Sequence, residues 1–311
     1  MGTPEFAVPS LLKLIEAGYS PVAVVTAPDK PAGRGLQLKS SPVKEAALKA
    51  GIPVLQPVNL KAPEFLEQLK IFYPDVQFVV AFRMLPEAVW NLPPLGTFNL
   101  HASLLPQYRG AAPINHAIIN GESQTGLTTF KLRHQIDTGE IAFQQTLDIG
   151  LELTAGELHD VMMVQGADLV EKTIRAIENN TLVLHEQKIN AGVDLMHEAP
   201  KLHPAFCKID FNSPALTVHN KIRGLSPFPG ATTELVMNNK IQPFKLLRTK
   251  LSDFKKEGAP GELDCSQPGR MFVCCQDNWL ELLEIQPAGK KRMTVQAFLN
   301  GFKPEGTPVF A

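Results

Sequence analysis

The sequence is short of the features that identify a function at a glance. Its four cysteines, Cys207, Cys265, Cys274 and Cys275, include no Cys-x-x-Cys pair. Neither a zinc site nor a dithiol redox motif is readable, and reduced thiols are expected. No apolar run approaches the ~18 residues of a membrane span, and the first residues lack the charged and apolar regions of a signal peptide. Phe6 stands where a myristoylation signal beginning at Gly2 needs Ser or Thr. These absences predict a cytoplasmic protein with no membrane partner. Gly33-Arg-Gly35 has Leu38 at the third glycine position of a Gly-x-Gly-x-x-Gly fingerprint. There is no Walker A sequence and no His-Glu-x-x-His, and Gly224-Leu-Ser226-Pro-Phe228 misses the final glycine of a nucleophile elbow. Nicotinamide binding, P-loop phosphate chemistry, zinc hydrolysis and an α/β-hydrolase triad are therefore unsupported.

An excess of one charge is also missing: 30 Lys and Arg against 31 Asp and Glu leave a net charge of −1 over 311 residues. The distribution is less even. Residues 1–200 carry 15 basic and 21 acidic side chains, whereas residues 201–311 carry 15 basic and 10 acidic. An acidic front and a basic rear hint at a polyanionic partner for the rear.

The front half alternates aliphatic runs with helical patterns. Helices are predicted over residues 6–17, 42–50 and 63–72, from about 113, and from Thr154 to about residue 179. Thr154 and Glu157 form a capping-box pattern for the last of these. Strands are predicted at 21–26, 52–55, 76–82, 96–101, 125–132 and 141–147. Strands separated by helices imply parallel crossovers, hence an open, mostly parallel, Rossmann-like α/β sheet. Residues 190–205 lack periodicity and read as a linker between a catalytic domain (1–189) and a rear domain (206–311). In the rear, a helix over 215–223 precedes short β-like runs at 231–237, 244–251, 270–275 and 279–285. Their even spacing suggests a small OB-like barrel.

Asn99 and His101 are the most informative pair. Two apart at the end of a predicted strand, they face the same side, and ligands of open α/β sheets lie beyond the carboxyl ends of the strands. A Pro/Gly-rich loop follows, through Tyr108, Arg109 and Gly110 to Pro113. Asp137 sits in a later Gly-containing loop, where it either caps a turn through Asx geometry or polarises His101 as a carboxylate partner. Spacing alone leaves both open.

Gly2-Thr-Pro-Glu-Phe-Ala-Val-Pro9, Pro28-Asp-Lys-Pro-Ala-Gly-Arg-Gly35, Ser41-Pro-Val-Lys44, the stretch from Asn99 to Ile114, Ile136-Asp-Thr-Gly139 and Gln286-Pro-Ala-Gly-Lys290 together resemble the methionyl-tRNA formyltransferase family. The Asn-x-His, Ser-Leu-Leu-Pro and later Asp belong to 10-formyltetrahydrofolate-dependent formyltransferases in general. The resemblance implies formyl transfer from 10-formyltetrahydrofolate to the α-amino group of methionine on initiator tRNA, without a metal. It gives Asn99 an oxyanion role, His101 proton transfer, and Asp137 the orientation of His101 and part of the proton relay. It places Ser103, Leu104, Leu105 and Pro106 in the folate-binding loop. Lys30, Arg34 and Lys39 would meet the acceptor stem, with Arg34 the principal contact. Lys245, Arg248, Lys250, Lys290, Lys291 and Arg292 would meet tRNA phosphates. A monomer is expected.

Two departures from the family accompany this. A short strand precedes the Gly-Thr-Pro-Glu segment in the family, whereas this sequence opens at Met1 directly before it, so Met1 is expected to be an internal methionine of a longer chain. Phe82-Arg-Met-Leu-Pro86 replaces a commoner Tyr-Gly pattern beside the pterin. The alternative acceptor is a nucleotide-linked amino sugar, used by sister enzymes that share the Asn-His-Asp set. The basic 30–39 loop and the positive rear domain argue for tRNA.

Overall fold

The computed structural model describes residues 1–32, 37–188, 196–237, 240–302 and 308–311. Their contacts form two compact units. The first holds Met1–Gly110, Gly126–Leu147 and His159–Glu198; the second holds Ala111–Thr125, Asp148–Leu158 and Ala199–Ala311. Residues 190–195 of the expected linker lie outside the described residues.

In the first unit, Val24–Val25 pairs in parallel with Val54–Leu55, and Gln77–Val80 pairs in parallel with Thr97–His101. Parallel neighbours need crossovers: the helix Pro42–Lys49, opened by a proline at its first turn, lies in the crossover of the first pair, and the short helix Glu87–Trp90 in that of the second. Ser41 caps the former by accepting from the Lys44 amide at 3.1 Å. Past Thr97–His101 the pairing reverses. Gln124–Lys131 runs antiparallel to it, and Ile141–Asp148 completes a four-stranded sheet. The parallel strands are the Rossmann-like part, and the site strand lies where parallel pairing gives way to antiparallel. Phe98, Leu100, Leu127 and Phe130 fill the core here, each burial worth roughly 1.5–3 kcal/mol. Residues 30–39, expected as a plain loop, include a hairpin of Lys30–Ala32 with Gln37–Lys39.

Met1 and Gly2 join the two parallel pairs at one end. The Gly2 amide donates to the Val25 carbonyl at 3.1 Å, and the Val80 amide donates to the Met1 carbonyl at 2.9 Å. Beside them runs a groove of about 370 Å³, bounded among others by Ala23, Val25, Phe72, Val76 and Phe78.

The second unit is an antiparallel sheet in the order Leu263–Asp264, Met271–Cys274, Trp279–Pro287, Lys240–Leu251, Ala231–Met237, Val309–Phe310. A bridge between Glu262 and Val309 brings its two ends together, leaving a nearly closed barrel. The helix Ala215–Leu225 sends Val218, Ile222 and Leu225 into its core, against Leu246, Leu280 and Ile285. The helix Pro113–Ile119 packs on that helix through Asn115, whose amide donates to the Gly224 carbonyl at 2.7 Å. Gly224 is required there, because a Cβ would lie 2.5 Å from Ile119. The capping box holds as expected: the Thr154 amide donates to Glu157 at 2.8 Å, and the Glu157 amide donates to Thr154 Oγ1 at 3.3 Å.

His219, on the same helix, is buried between the Thr249 hydroxyl (2.9 Å) and the Leu151 carbonyl (3.1 Å). A carbonyl only accepts, so Nε2 carries the proton and Nδ1 accepts from Thr249. Burial pushes the His219 pKa below its ordinary value. The unfolded chain therefore takes up a proton that the folded one rejects, and stability falls as pH drops below about 6.5. The thermal midpoint is expected to fall between pH 7 and pH 5, and to fall less in His219→Gln. Equal falls in both proteins would assign the pH dependence to other groups.

Candidate active site

The strand Thr97–His101 builds the centre of the site. Period-two alternation turns Phe98 and Leu100 into the core and leaves Asn99 and His101 together on the other face. His101 is buried, whereas Asn99 is half-buried. No hydrogen bond engages the Asn99 side chain among the described residues. Its amide is thus an open donor beside a buried imidazole.

The following loop, residues 102–108, is tied down almost atom by atom. Thr128 Oγ1 donates to the Ser103 carbonyl at 2.7 Å and accepts from the Leu105 amide at 3.2 Å. Gln144 Nε2 donates to the Leu105 carbonyl at 2.9 Å. The Ser103 hydroxyl donates to the Gln107 carbonyl at 2.6 Å. The Leu105–Pro106 peptide bond is cis. Ser103 and Leu105 are buried, and Leu104 and Pro106 are half-buried. Of the four residues expected to meet folate, Ser103 therefore spends its hydroxyl on the loop itself.

The loop's outcome is the position of the Tyr108 carbonyl, which accepts from His101 Nε2 at 2.9 Å. That bond fixes the tautomer: Nε2 holds the proton and Nδ1 keeps a free lone pair. Tyr108 has φ +58°, donates its amide to the His197 carbonyl at 2.7 Å, and stacks on the His197 ring with centroids 5.5 Å apart.

Asp137 faces the other edge of the imidazole, Oδ2 lying 4.0 Å from Nδ1. That is too long for a hydrogen bond, and the bond the ring makes is the one to the Tyr108 carbonyl. Its carboxylate accepts instead from the Gly110 amide at 3.0 Å. The bond reaches a segment 27 positions away rather than closing an Asx turn. Asp137 has φ +51°, and Gly139, two residues on, lies where a Cβ would meet the Lys131 carbonyl at 1.7 Å. Arg109 completes this side. Burial lowers its pKa, and the charge of Asp137 opposes that shift.

Asn99, His101 and Asp137, separated by up to 38 positions, thus converge within one unit. The basic residues are distributed differently. Lys30 and Lys39 stand directly opposite each other in the hairpin, both exposed; Arg34 lies outside the described residues. In the second unit Arg248 is paired with Glu157 and Arg292 with Glu284, while Lys245 donates to the Pro229 carbonyl at 2.7 Å. Lys290 and Lys291 are exposed and form no ion pair among the described residues. No helix among those residues is long and apolar enough to cross a membrane.

A parallel-strand domain with an Asn-His-Asp cluster at a strand end, followed by a small antiparallel barrel, defines a class. Residues 1–174 match the formyl transferase family and residues 201–303 its C-terminal domain; the chain belongs to this family. It is 50% identical over 305 residues to the methionyl-tRNA formyltransferase of Azobacteroides pseudotrichonymphae, covering 97% of this chain and 94% of that one. It is 46% identical over 306 residues to the methionyl-tRNA formyltransferase of Parabacteroides distasonis, at the same coverage. Among solved structures, the N-formyltransferase from Helicobacter canadensis, in complex with folinic acid and dTDP-3-aminofucose, superposes with a TM-score of 0.66. Its sequence identity is 22%, over 94% of this chain and 97% of that one. The sugar 3N-formyl transferase WlaRD, crystallised with dTDP and 5-N-formyl-THF, gives 0.65 at 20% identity, over 93% and 97%. These two share the fold.

Proposed function

We propose that this protein transfers a formyl group from 10-formyltetrahydrofolate to the α-amino group of methionine on initiator tRNA, in the cytoplasm, at the start of translation. The observation that carries the reading is near-full-length identity of 45–50% to several methionyl-tRNA formyltransferases, on a chain whose Asn99, His101 and Asp137 converge. In the reaction the methionyl amine attacks the formyl carbon, the carbonyl oxygen gathers negative charge, and the folate nitrogen leaves with a proton. The open amide of Asn99 suits the oxyanion. The free Nδ1 of His101 suits removal of the amine proton and its delivery to the leaving nitrogen, with Asp137 favouring the imidazolium formed between the two. Leu104 and Pro106 offer the apolar wall of the loop to the folate.

The tRNA acceptor is favoured by the hairpin. Like charges directly opposite on paired strands repel, so Lys30 facing Lys39 is a cost in the free protein that a phosphate would offset. Offering Met-tRNA and an amino-sugar nucleotide side by side with 10-formyltetrahydrofolate tests the assignment. Formyl-Met-tRNA is the expected product, and formylation of the sugar alone would overturn it.

In the second unit Lys290 and Lys291 are the best-placed phosphate ligands, since Arg248 and Arg292 already have carboxylate partners. Replacing both by Ala is expected to weaken Met-tRNA binding and to make the plot of log affinity against log salt shallower, by roughly 0.9 for each phosphate left without its cation. An unchanged slope in a salt titration would remove them from the interface.

A further inference from the structure

Gln187 lies in an extended stretch after the helix Ala155–Glu178, 50 positions beyond Asp137, and no motif points to it. The backbone is placed by His185, whose amide and carbonyl exchange hydrogen bonds with Ile141 at 2.9 and 2.7 Å. Two residues further on, the half-buried Gln187 amide uses both of its ends. Nε2 donates to the carbonyls of Asp137 at 2.9 Å and Gly139 at 2.8 Å. Oε1 accepts from Arg109 Nε at 3.2 Å and Nη2 at 2.5 Å. Two donors and two acceptances leave an amide with one possible orientation.

The two segments it ties together are the two sides of the site. One is the chain leaving Tyr108, whose carbonyl holds His101 Nε2, and whose Gly110 amide holds the Asp137 carboxylate. The other is the loop that carries Asp137 in a left-handed conformation, which needs outside support in a residue other than glycine. The His101–Asp137 separation of 4.0 Å is closed by no direct bond, so something else must set it.

We propose that Gln187 is a positioning residue for catalysis: by clamping the Asp137 and Gly139 carbonyls to Arg109, it sets the distance between the Asp137 carboxylate and His101 Nδ1. Its chemistry explains why an amide is needed. The donors must meet two carbonyls while the acceptor meets a guanidinium, and no carboxylate or cation can do both. The charged groups that bear on the Arg109 guanidinium in this arrangement are Asp137 and Arg133.

The experiment compares Gln187→Leu and Gln187→Glu with the wild type in the full chain. Glu keeps an acceptor for Arg109 but presents an oxygen to the two carbonyls, so both variants should lose the clamp. Expected are a fall in kcat of about 10–100-fold and little change in KM for Met-tRNA. The role of Gln187 rests on the proposed reaction, so a second measurement is made without substrates: the NMR resonances, at one fixed pH, of the His101 ring and of the Gly110 amide that holds the Asp137 carboxylate. Both are expected to shift in both variants, because the Asp137 loop is no longer tied to Arg109. Should the wild type fail to formylate Met-tRNA while these resonances still shift, the functional reading falls and the clamp stands. Unshifted resonances, or a Gln187→Glu enzyme with wild-type kcat, would overturn the clamp, including when thermal stability alone is lowered.

Discussion

Asn99→Ala is expected to lower kcat by ~10²–10³-fold, the usual cost of removing one donor from an oxyanion site, while KM for both substrates stays within about threefold. Asn99 and His101 share a face because strand side chains alternate, and Phe98 and Leu100 lock the register by filling the opposite face. Removing the Asn99 amide leaves that packing intact, so circular dichroism and the melting midpoint should hardly move. The loss should fall on the step in which charge develops, not on binding. Single-turnover formylation of Met-tRNA measures it directly. A variant that keeps more than a third of wild-type turnover would take Asn99 out of the oxyanion role.

His101→Ala is expected to cost at least ~10²-fold in turnover. The ring is held at Nε2 by the Tyr108 carbonyl and faces Asp137 through Nδ1, so the variant removes the group that would accept the amine proton in the proposed reaction. His101→Gln separates two contributions. Its amide can still donate to Tyr108, which keeps the loop, but it cannot take up a proton. Turnover as low as in His101→Ala is expected, with stability nearer the wild type. If His101→Gln turns over normally, proton transfer belongs to another group, and Asp137 is the next to replace.

The parts of this design legible in the sequence are those governed by short-range rules. Strand 231–237 matches Ala231–Met237 to the residue, because turn residues bracket an alternating run. The Thr154–Glu157 pattern announced the long helix. Asn99 and His101 stood out because period two and strand-end placement both act within a few residues. What escaped depends on contacts between distant segments. Lys240 to Pro243 begins the long strand Lys240–Leu251, but a proline in the run conceals it; its partners Glu234 and Gln286 lie elsewhere in the chain. The two-residue strands Leu263–Asp264 and Val309–Phe310 carry too few residues for a period and form only because barrel edges need partners. The reversal from parallel to antiparallel pairing after Thr97–His101 leaves no mark in hydrophobic pattern either. In the site, Thr128, Gln144 and Gln187 were invisible for the same reason. Each is an ordinary polar residue whose importance lies in carbonyls far from it in the chain.

The bond between His101 Nε2 and the Tyr108 carbonyl has a further consequence under the proposed reaction. An imidazole free at both nitrogens can collect a proton on one side and release it on the other, working as a relay between separated partners. Here Nε2 is held by the Tyr108 carbonyl, so in this geometry the ring takes up and hands back its proton at Nδ1. The methionyl amine and the departing folate nitrogen must then converge on a single edge of the imidazole, one after the other. That requirement shapes the ternary complex as much as any binding contact: the two substrates have to approach from the same side, close enough to share one lone pair in succession.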